Sequence, residues 1–390
     1  MKFIDLFCGI GGFHQALVSL GHECVFASDI DKYSIETYQQ NYGMKVSGDI
    51  SKIEAKDIPE HDILCAGFPC QAFSVGGYRK GFADQTRGTL FFEITRILEH
   101  HKTKYIMLEN VKNLIGHDDG NTWNVIKNSL IDLGYQITQE PLVLSPHKFG
   151  TPQLRERVYI LGKYDPENSS VPLEIESLQE VKNLKLDSVF ETTNSNQKLN
   201  ITSYEQDVLN CWEEFYQNLK HQNISFSIWT EYFGYTGSLA GMPKWKSQVV
   251  QKNIDLYNNN KTFIDSWLLK HNNLENFTNK AHKKFEWQAG KNINTIWDGI
   301  IQFRQSGVRV KRPNYFQTLV AIVQIPIVGK LKRRLSVREV ARLQDFPDTF
   351  IINKNERQAY KQFGNSVNVK IVKMLAEKLL PEVDKQSEVL

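Results

Sequence analysis

From residue 2 to about 165 the sequence alternates short, almost wholly apolar runs with stretches of helical periodicity, which leaves few architectures open. Lys2–Phe7, Cys24–Ser28, Ile63–Ala66 and Tyr105–Leu108 are too short for helices and carry no polar alternation, so they read as strands buried on both faces. Between them, Phe13, Ala16, Leu17 and Leu20 fall at helical spacing. Leu90, Phe91, Ile94, Ile97 and Leu98 mark one face of a helix over 89–99. Strands separated by helices pair in parallel, so the expected fold is α/β: a doubly wound, mainly parallel, Rossmann-like sheet over residues 1–165.

Past that point the pattern lapses. PENSSVP and ETTNSNQKLN are polar and unpatterned, and 200–330 is rich in aromatics, Asn and Lys with weak periodicity. The stretch EYFGYTGSLAGMPKW reads as an extended loop surface. Ser336-Val-Arg-Glu339 then has the form of a capping box, and Val367, Ile371, Leu375 and Leu379 mark a last amphipathic helix. The expected organisation is a first domain over 1–165, a smaller irregular one over 166–330, and a return of 331–390 to the first.

Bulk properties exclude little. A net charge of +3 permits a polyanionic partner without requiring one. No apolar run approaches the roughly 18 residues of a membrane span, and MKFIDLF reads as a strand rather than a leader. Five cysteines, odd in number and without CxxC spacing, point away from disulfides and from a bound metal, and towards a reducing cytoplasm.

Three constellations carry chemistry. Phe7-Cys8-Gly9-Ile10-Gly11-Gly12-Phe13 follows a strand and opens a helix, where glycines let the backbone approach a ligand closely. Asp29, with Asp31 close behind, follows the next strand, about 20 residues on, where an acid holds ribose hydroxyls. The turn is not GxGxxG, which disfavours a nicotinamide dinucleotide. Asp49-Ile50, after an expected third strand, has an acid able to accept from an adenine amino group. The second constellation is Gly67-Phe68-Pro69-Cys70-Gln71-Ala72-Phe73-Ser74. A cysteine in a loop at a strand's carboxyl end, flanked by turn and polar residues, fits a nucleophile; Cys8, Cys24, Cys65 and Cys211 have apolar settings and read as inert. The third is Glu109-Asn110-Val111, after the strand 105–108, followed by Gln153-Leu154-Arg155-Glu156-Arg157, which sets two arginines on one face of an extended strand. Taken singly, Glu109 also suits a helix cap, and the arginines suit solvated surface charge.

In chain order, FCGIGGF, Asp29, GDI, GFPCQAFS, RGTLF, ENV, QLRER, Arg338–Pro347 and Gln362-Phe363-Gly364-Asn365-Ser366-Val367 resemble the ordered motifs of the DNA (cytosine-5)-methyltransferases. The resemblance covers about 1–163 and 313–380, and the departure is Ile30, where many members carry tryptophan against the adenine. It implies S-adenosylmethionine as cofactor, with Phe7, Gly9, Gly11, Gly12, Asp29, Ile30, Asp49, Ile50, Pro69, Leu90, Asn365 and Ser366 as contacts. It implies a catalytic set of Cys70 as nucleophile at cytosine C6, Glu109 at N3 and the exocyclic amine, Arg157 at the carbonyl oxygen, and Arg155 at a phosphate or loop. It also makes 166–330 a target-recognition domain for double-stranded DNA, from which the base must be flipped.

Arg304, Arg309, Lys311 and Arg312, interleaved with Phe303, Tyr315 and Phe316, form the clearest basic–aromatic cluster. With Ser74 and Thr318, Arg304, Arg309 and Arg312 are the expected DNA contacts. Size and the lack of a regulatory domain suggest a bacterial modification enzyme, expected to be a monomer; whether a cognate restriction endonuclease accompanies it is left open by the sequence. A tRNA cytosine-5 methyltransferase shares this catalytic set, but the long insert leans towards DNA. A non-catalytic relative should have lost Cys70 or the glycine turn, and a Rossmann oxidoreductase should bind a dinucleotide.

Overall fold

The computed structural model describes residues 1–69, 90–192, 196–222, 224–319 and 324–381. By internal contacts the chain forms two compact units: Met1–Val189 with Gln317–Ala321 and Val337–Leu390, and Phe190–Phe316 with Ile322–Ser336.

The first unit is built on strands β1 (Lys2–Leu6), β2 (Glu23–Ser28), β3 (Ile63–Gly67), β4 (Tyr105–Val111), β5 (Tyr135–Ile137), β6 (Leu142–Leu144) and β8 (Arg157–Tyr164); a two-residue strand β7 (Gln153–Leu154) precedes β8. The sheet order is β2-β1-β3-β4-β8-β5, with β6 also on β8. Pairs β1/β2, β1/β3 and β3/β4 are parallel as expected, whereas β8 runs antiparallel to β4, β5 and β6. Phe3, Ile4, Leu64, Cys65, Ile106 and Ile160 are fully buried, which is why these strands read as unbroken apolar runs. The third strand expected before Gly48 is absent: only a single bridge, Ser28 to Ser47, forms there.

Helices α1 (Gly12–Val18), α2 (Lys32–Tyr42), α3 (Leu90–His101) and α4 (Asn121–Asp132) cover this sheet. Phe91, Ile94, Ile97 and Leu98 of α3 and Ile126 and Leu130 of α4 close the core over Leu64, Ile106 and Ile160. Asp31 caps α2 by accepting from the Ser34 amide, and Gly43 ends it at φ 64°, a left-handed angle that costs glycine little.

Between the two halves of the first unit the chain builds the second. The region expected to be irregular, 166–330, is so over 166–202, where the described residues form no strand and no helix beyond short 3-10 turns; after it come α5 (Ser203–Leu219), α6 (Lys244–Asn259), α7 (Lys261–Lys270) and a six-stranded sheet. Its core is aromatic: Trp212 stacks on Phe285 at 5.0 Å and lies against Trp267, above Ile301, Val308 and Val310. Only Val250, Asn253 and Leu256 of α6 and Ile264 and Trp267 of α7 are buried, so these helices carry too few apolar positions to show a clear period. The chain then returns to the first unit through α8 (Val337–Leu343), α9 (Glu356–Asn365) and α10 (Val369–Leu379), where α10 packs on α1. Among the described residues no helix is long and apolar enough to cross a membrane.

Two buried histidines set an acid limit on the first unit. Burial holds His14 and His61 down to about 4. His14 Nδ1 bonds the Tyr38 hydroxyl at 2.7 Å; His61 donates from Nδ1 to the Pro59 carbonyl and bonds Thr103 through Nε2. Their folded values lie below the ordinary one of about 6.5, so the unfolded chain takes up protons first as pH falls. Stability is therefore full above pH 6.5 and declines towards pH 4, by about 2 kcal/mol for each histidine at pH 5. Denaturant melts at pH 7.5 and 5 should show the loss, and His61→Gln should remove part of it; equal stability at both pH values would refute it.

Candidate active site

The sheet's carboxyl edge is where the functional side chains collect. β1 ends in a turn with Phe7 at φ 54°, Gly9 at φ 54° and Gly11 at φ 82°. Glycine is required twice over: a Cβ on Gly12 would lie 2.6 Å from Val367 Cγ2, and one on Gly11 would lie 2.3 Å from the Tyr42 ring. Asp29, at the end of β2, holds the turn from the other side. Its Oδ2 accepts from the Gly9 amide and its Oδ1 from the Asp31 amide, both at 2.8 Å. Ile30 beside it is 77% exposed, an aliphatic surface facing the cavity. The Asp49 carboxyl accepts from the Ser51 amide and hydroxyl, and those bonds hold it below the usual carboxylate range.

The second group stands at the ends of β3, β4 and β8. Arg157 Nε lies 3.1 Å from Glu109 Oε1. Burial pushes the Glu109 carboxyl up, and the charges of Arg157 and Arg155 recover only part of that shift. Gly67, at the end of β3, stands beside this carboxyl, where a Cβ would make only an ordinary contact at 3.5 Å from Glu109 Oε2.

Arg155 and Arg157 do not share a strand face, because the chain breaks between β7 and β8 at Arg155-Glu156. The break turns Arg155 inward. It is 2% exposed and donates from one Nη to the Ser366 carbonyl at 2.9 Å, a contact of the loop kind. Burial, then the neighbouring Arg157, lowers its guanidinium pKa.

These groups line one cavity of about 650 Å³ in the first unit. Phe7, Gly9, Gly12, Asp29, Ile30, Asp49 and Ile50 form one part of its wall; Pro69, Leu90, Glu109, Arg155 and Arg157 form another, and Asn365 and Ser366 complete it. Gly11 packs behind, on Tyr42. Cys70 and Ser74 lie outside the described residues, while Pro69, which lines the cavity, ends the described chain before Cys70. Cys8, Cys65 and Cys211 are buried, and burial pushes the thiols of these three and Cys24 up, which fits inert cysteines.

Sequence reasoning gave Asn110 no role. It is buried, and its amide donates to the Phe68 carbonyl at 2.8 Å, fixing the backbone that leads to Pro69. Its signal is a second polar side chain, next to Glu109, near the end of an otherwise apolar strand. Lys361 also lines the cavity and pairs with Asp31 at 3.3 Å; nothing in its polar surroundings marked it.

The expected DNA contacts differ in freedom. In the second unit Arg304 is exposed, Arg309 is ion-paired with Glu286 at 2.6 Å, and Arg312 donates to the Ala289 carbonyl. In the first unit the Thr318 hydroxyl donates to the Leu154 carbonyl at 2.9 Å.

Comparison with known proteins follows the same lines. The chain matches the C-5 cytosine-specific DNA methylase family over residues 1–381. It is 36% identical over 383 residues to the type II methyltransferase M.NlaX of Neisseria lactamica, covering 97% of this chain and 96% of that one. It is 33% identical over 376 residues to the type II methyltransferase M.HhaI of Haemophilus parahaemolyticus, covering 96% and 93%. The Entamoeba histolytica methyltransferase EhMeth has a similar structure, with a TM-score of 0.55 over 97% of each chain; at 16% identity that likeness speaks for the fold alone.

Proposed function

The chain belongs to the C-5 cytosine-specific DNA methylases and is a DNA (cytosine-5-)-methyltransferase of the restriction–modification type; from that premise we propose how its cavity works. It takes a methyl group from S-adenosylmethionine and places it on C5 of one cytosine in a fixed duplex sequence. The base is flipped out of the helix, and Cys70 bonds transiently to C6. The observation that carries this reading is the single cavity in which an anchored ribose-type acid, Asp29, and a raised-pKa acid, Glu109, both stand at the sheet edge.

The wall residues fit the cofactor. Asp29 keeps acceptor capacity for ribose hydroxyls after its two amide bonds. Ile30 offers an aliphatic face to a purine, and Asp49 an acceptor to its amino group. The cofactor supplies an electrophilic methyl group when bound.

Cytosine C5 is too weak a nucleophile by itself. Addition of the Cys70 thiolate at C6 makes the ring enamine-like and moves its electron pair towards C5, splitting one hard step into two. Glu109 gives a proton to N3 as negative charge builds there and accepts from the exocyclic amine. Arg157 donates to the base's carbonyl oxygen, while Arg155 acts through the Ser366 carbonyl to hold the last motif in place. After methyl transfer the C5 proton passes to solvent water, the Cys70 thiolate is expelled and the N3 proton returns to the Glu109 carboxylate, which restores the ring. Flipping costs a few kcal/mol, which DNA contacts must offset. Arg304 is the exposed cation proposed to meet a phosphate, and Arg309, braced by Glu286, the one to reach a base edge. Arg312, Thr318 and Ser74 are proposed further contacts.

Bisulfite sequencing of DNA from cells expressing the chain tests the reading. Protected cytosines should recur at one position of one short sequence; protection no higher than in cells without the chain would overturn it.

A further inference from the structure

We propose that Tyr42, the last residue of α2, is the positioning residue of the glycine turn and through it sets affinity for the cofactor. The inference rests on the reading of the cavity given above.

The Tyr42 hydroxyl donates to the Gly11 carbonyl at 3.0 Å and lies 3.3 Å from that of Ile10. Its ring occupies the space that the missing Gly11 side chain leaves open. The ring is fixed in turn: it stacks on His14 at 3.8 Å and 19°, and meets Tyr38 edge-on at 4.7 Å. His14 is itself bonded to the Tyr38 hydroxyl. The rotamer of Tyr42 is thus locked by packing, so its hydroxyl bond costs little further ordering.

The turn needs such a hold. Phe7, Gly9 and Gly11 all sit at left-handed φ, an angle that costs the two glycines little but is uncommon for a side chain such as Phe7's. Asp29 fixes it from the ligand side, through the Gly9 amide. Tyr42 fixes it from the core side, at the carbonyls. The Gly11 carbonyl accepts from the Gln15 amide at 2.8 Å, at the start of α1, as well as from Tyr42; in a trans peptide the C=O and N–H point opposite ways, so the two bonds together keep the Gly12 amide turned away from Tyr42. Gly12 lines the cavity. Nothing about Tyr42 touches the cavity itself, which is why it acts through the turn.

Tyr42→Phe removes the hydroxyl and keeps the packing. Calorimetric titration of the full chain with S-adenosylmethionine should show binding about fivefold weaker, the weight of one neutral hydrogen bond. KM for the cofactor should rise in step, while kcat at saturating cofactor and affinity for duplex DNA stay within about twofold. A merely structural hydroxyl would lower the melting temperature of the cofactor-free protein and leave cofactor affinity unchanged; that result overturns the proposal. A parent chain that binds no S-adenosylmethionine would overturn the cavity reading and this inference together. A parent that binds, beside an unaltered Tyr42→Phe, overturns this inference alone.

Discussion

Replacing Cys70 with serine should abolish methyl transfer while leaving DNA binding largely intact. The argument is chemical. A thiol near its ordinary pKa of about 8.5 supplies some thiolate at neutral pH, and a nearby cation or hydrogen bond increases that fraction; a serine hydroxyl supplies essentially none. Without addition at C6, C5 gains no electron density and cannot take the methyl group. Removing a nucleophile whose partners act as a unit costs about four orders of magnitude or more. DNA affinity comes chiefly from phosphate contacts, which one uncharged atom does not alter. Tritiated methyl incorporation from S-adenosylmethionine measures the first quantity, and fluorescence anisotropy with labelled duplex the second. Robust residual transfer would sink the mechanism, and loss of DNA binding would make Cys70 a binding residue instead.

The parts of this molecule legible in the sequence are those where burial leaves a mark on composition. β1, β3 and β4 stood out because both faces are covered, and α3 because Phe91, Ile94, Ile97 and Leu98 share one face of it. Strand direction leaves no such mark. The run Val158–Leu161 is equally apolar whether β8 runs parallel or antiparallel, so its reversal beside β4 became evident only in the fold. The second unit was opaque for another reason. Its core joins large aromatics, Trp212, Phe215, Trp267 and Phe285, to aliphatics spread over short strands and over helices with few buried positions, so no clear period stands out.

Within the site, residue types were legible but pairings were not. Glycines, Asp29, Glu109 and Arg157 announced themselves by type and place, yet nothing in QLRER separates the inward Arg155 from Arg157. A two-residue break in the strand does that. Asn110 and Tyr42 show the same limit more sharply, because each acts on a backbone carbonyl, and a carbonyl has no letter in the sequence.

Glu109→Gln should lower kcat by about two to four orders of magnitude and remove one limb of its pH profile. Burial pushes the Glu109 carboxyl up, and Arg157 and Arg155 pull it back only in part, so the acid form persists above the usual carboxylate range. If that form gives its proton to N3, the parent's single-turnover rate must fall as pH rises through the folded value. Glutamine keeps a carbonyl oxygen to accept from Arg157 Nε and an amide to face N3, but it has no proton to give. The variant should therefore be slow, with no such fall. Stability has the corresponding sign: with its folded pKa above its unfolded one, Glu109 contributes stability that is full below the ordinary value and is lost as pH rises through the folded value. Single-turnover rates across pH 5 to 9, with melting temperatures at each pH, separate the effects. A slow variant that keeps the parent's alkaline fall would assign that limb to another group. A variant within about tenfold of the parent rate would remove Glu109 from the proton step altogether.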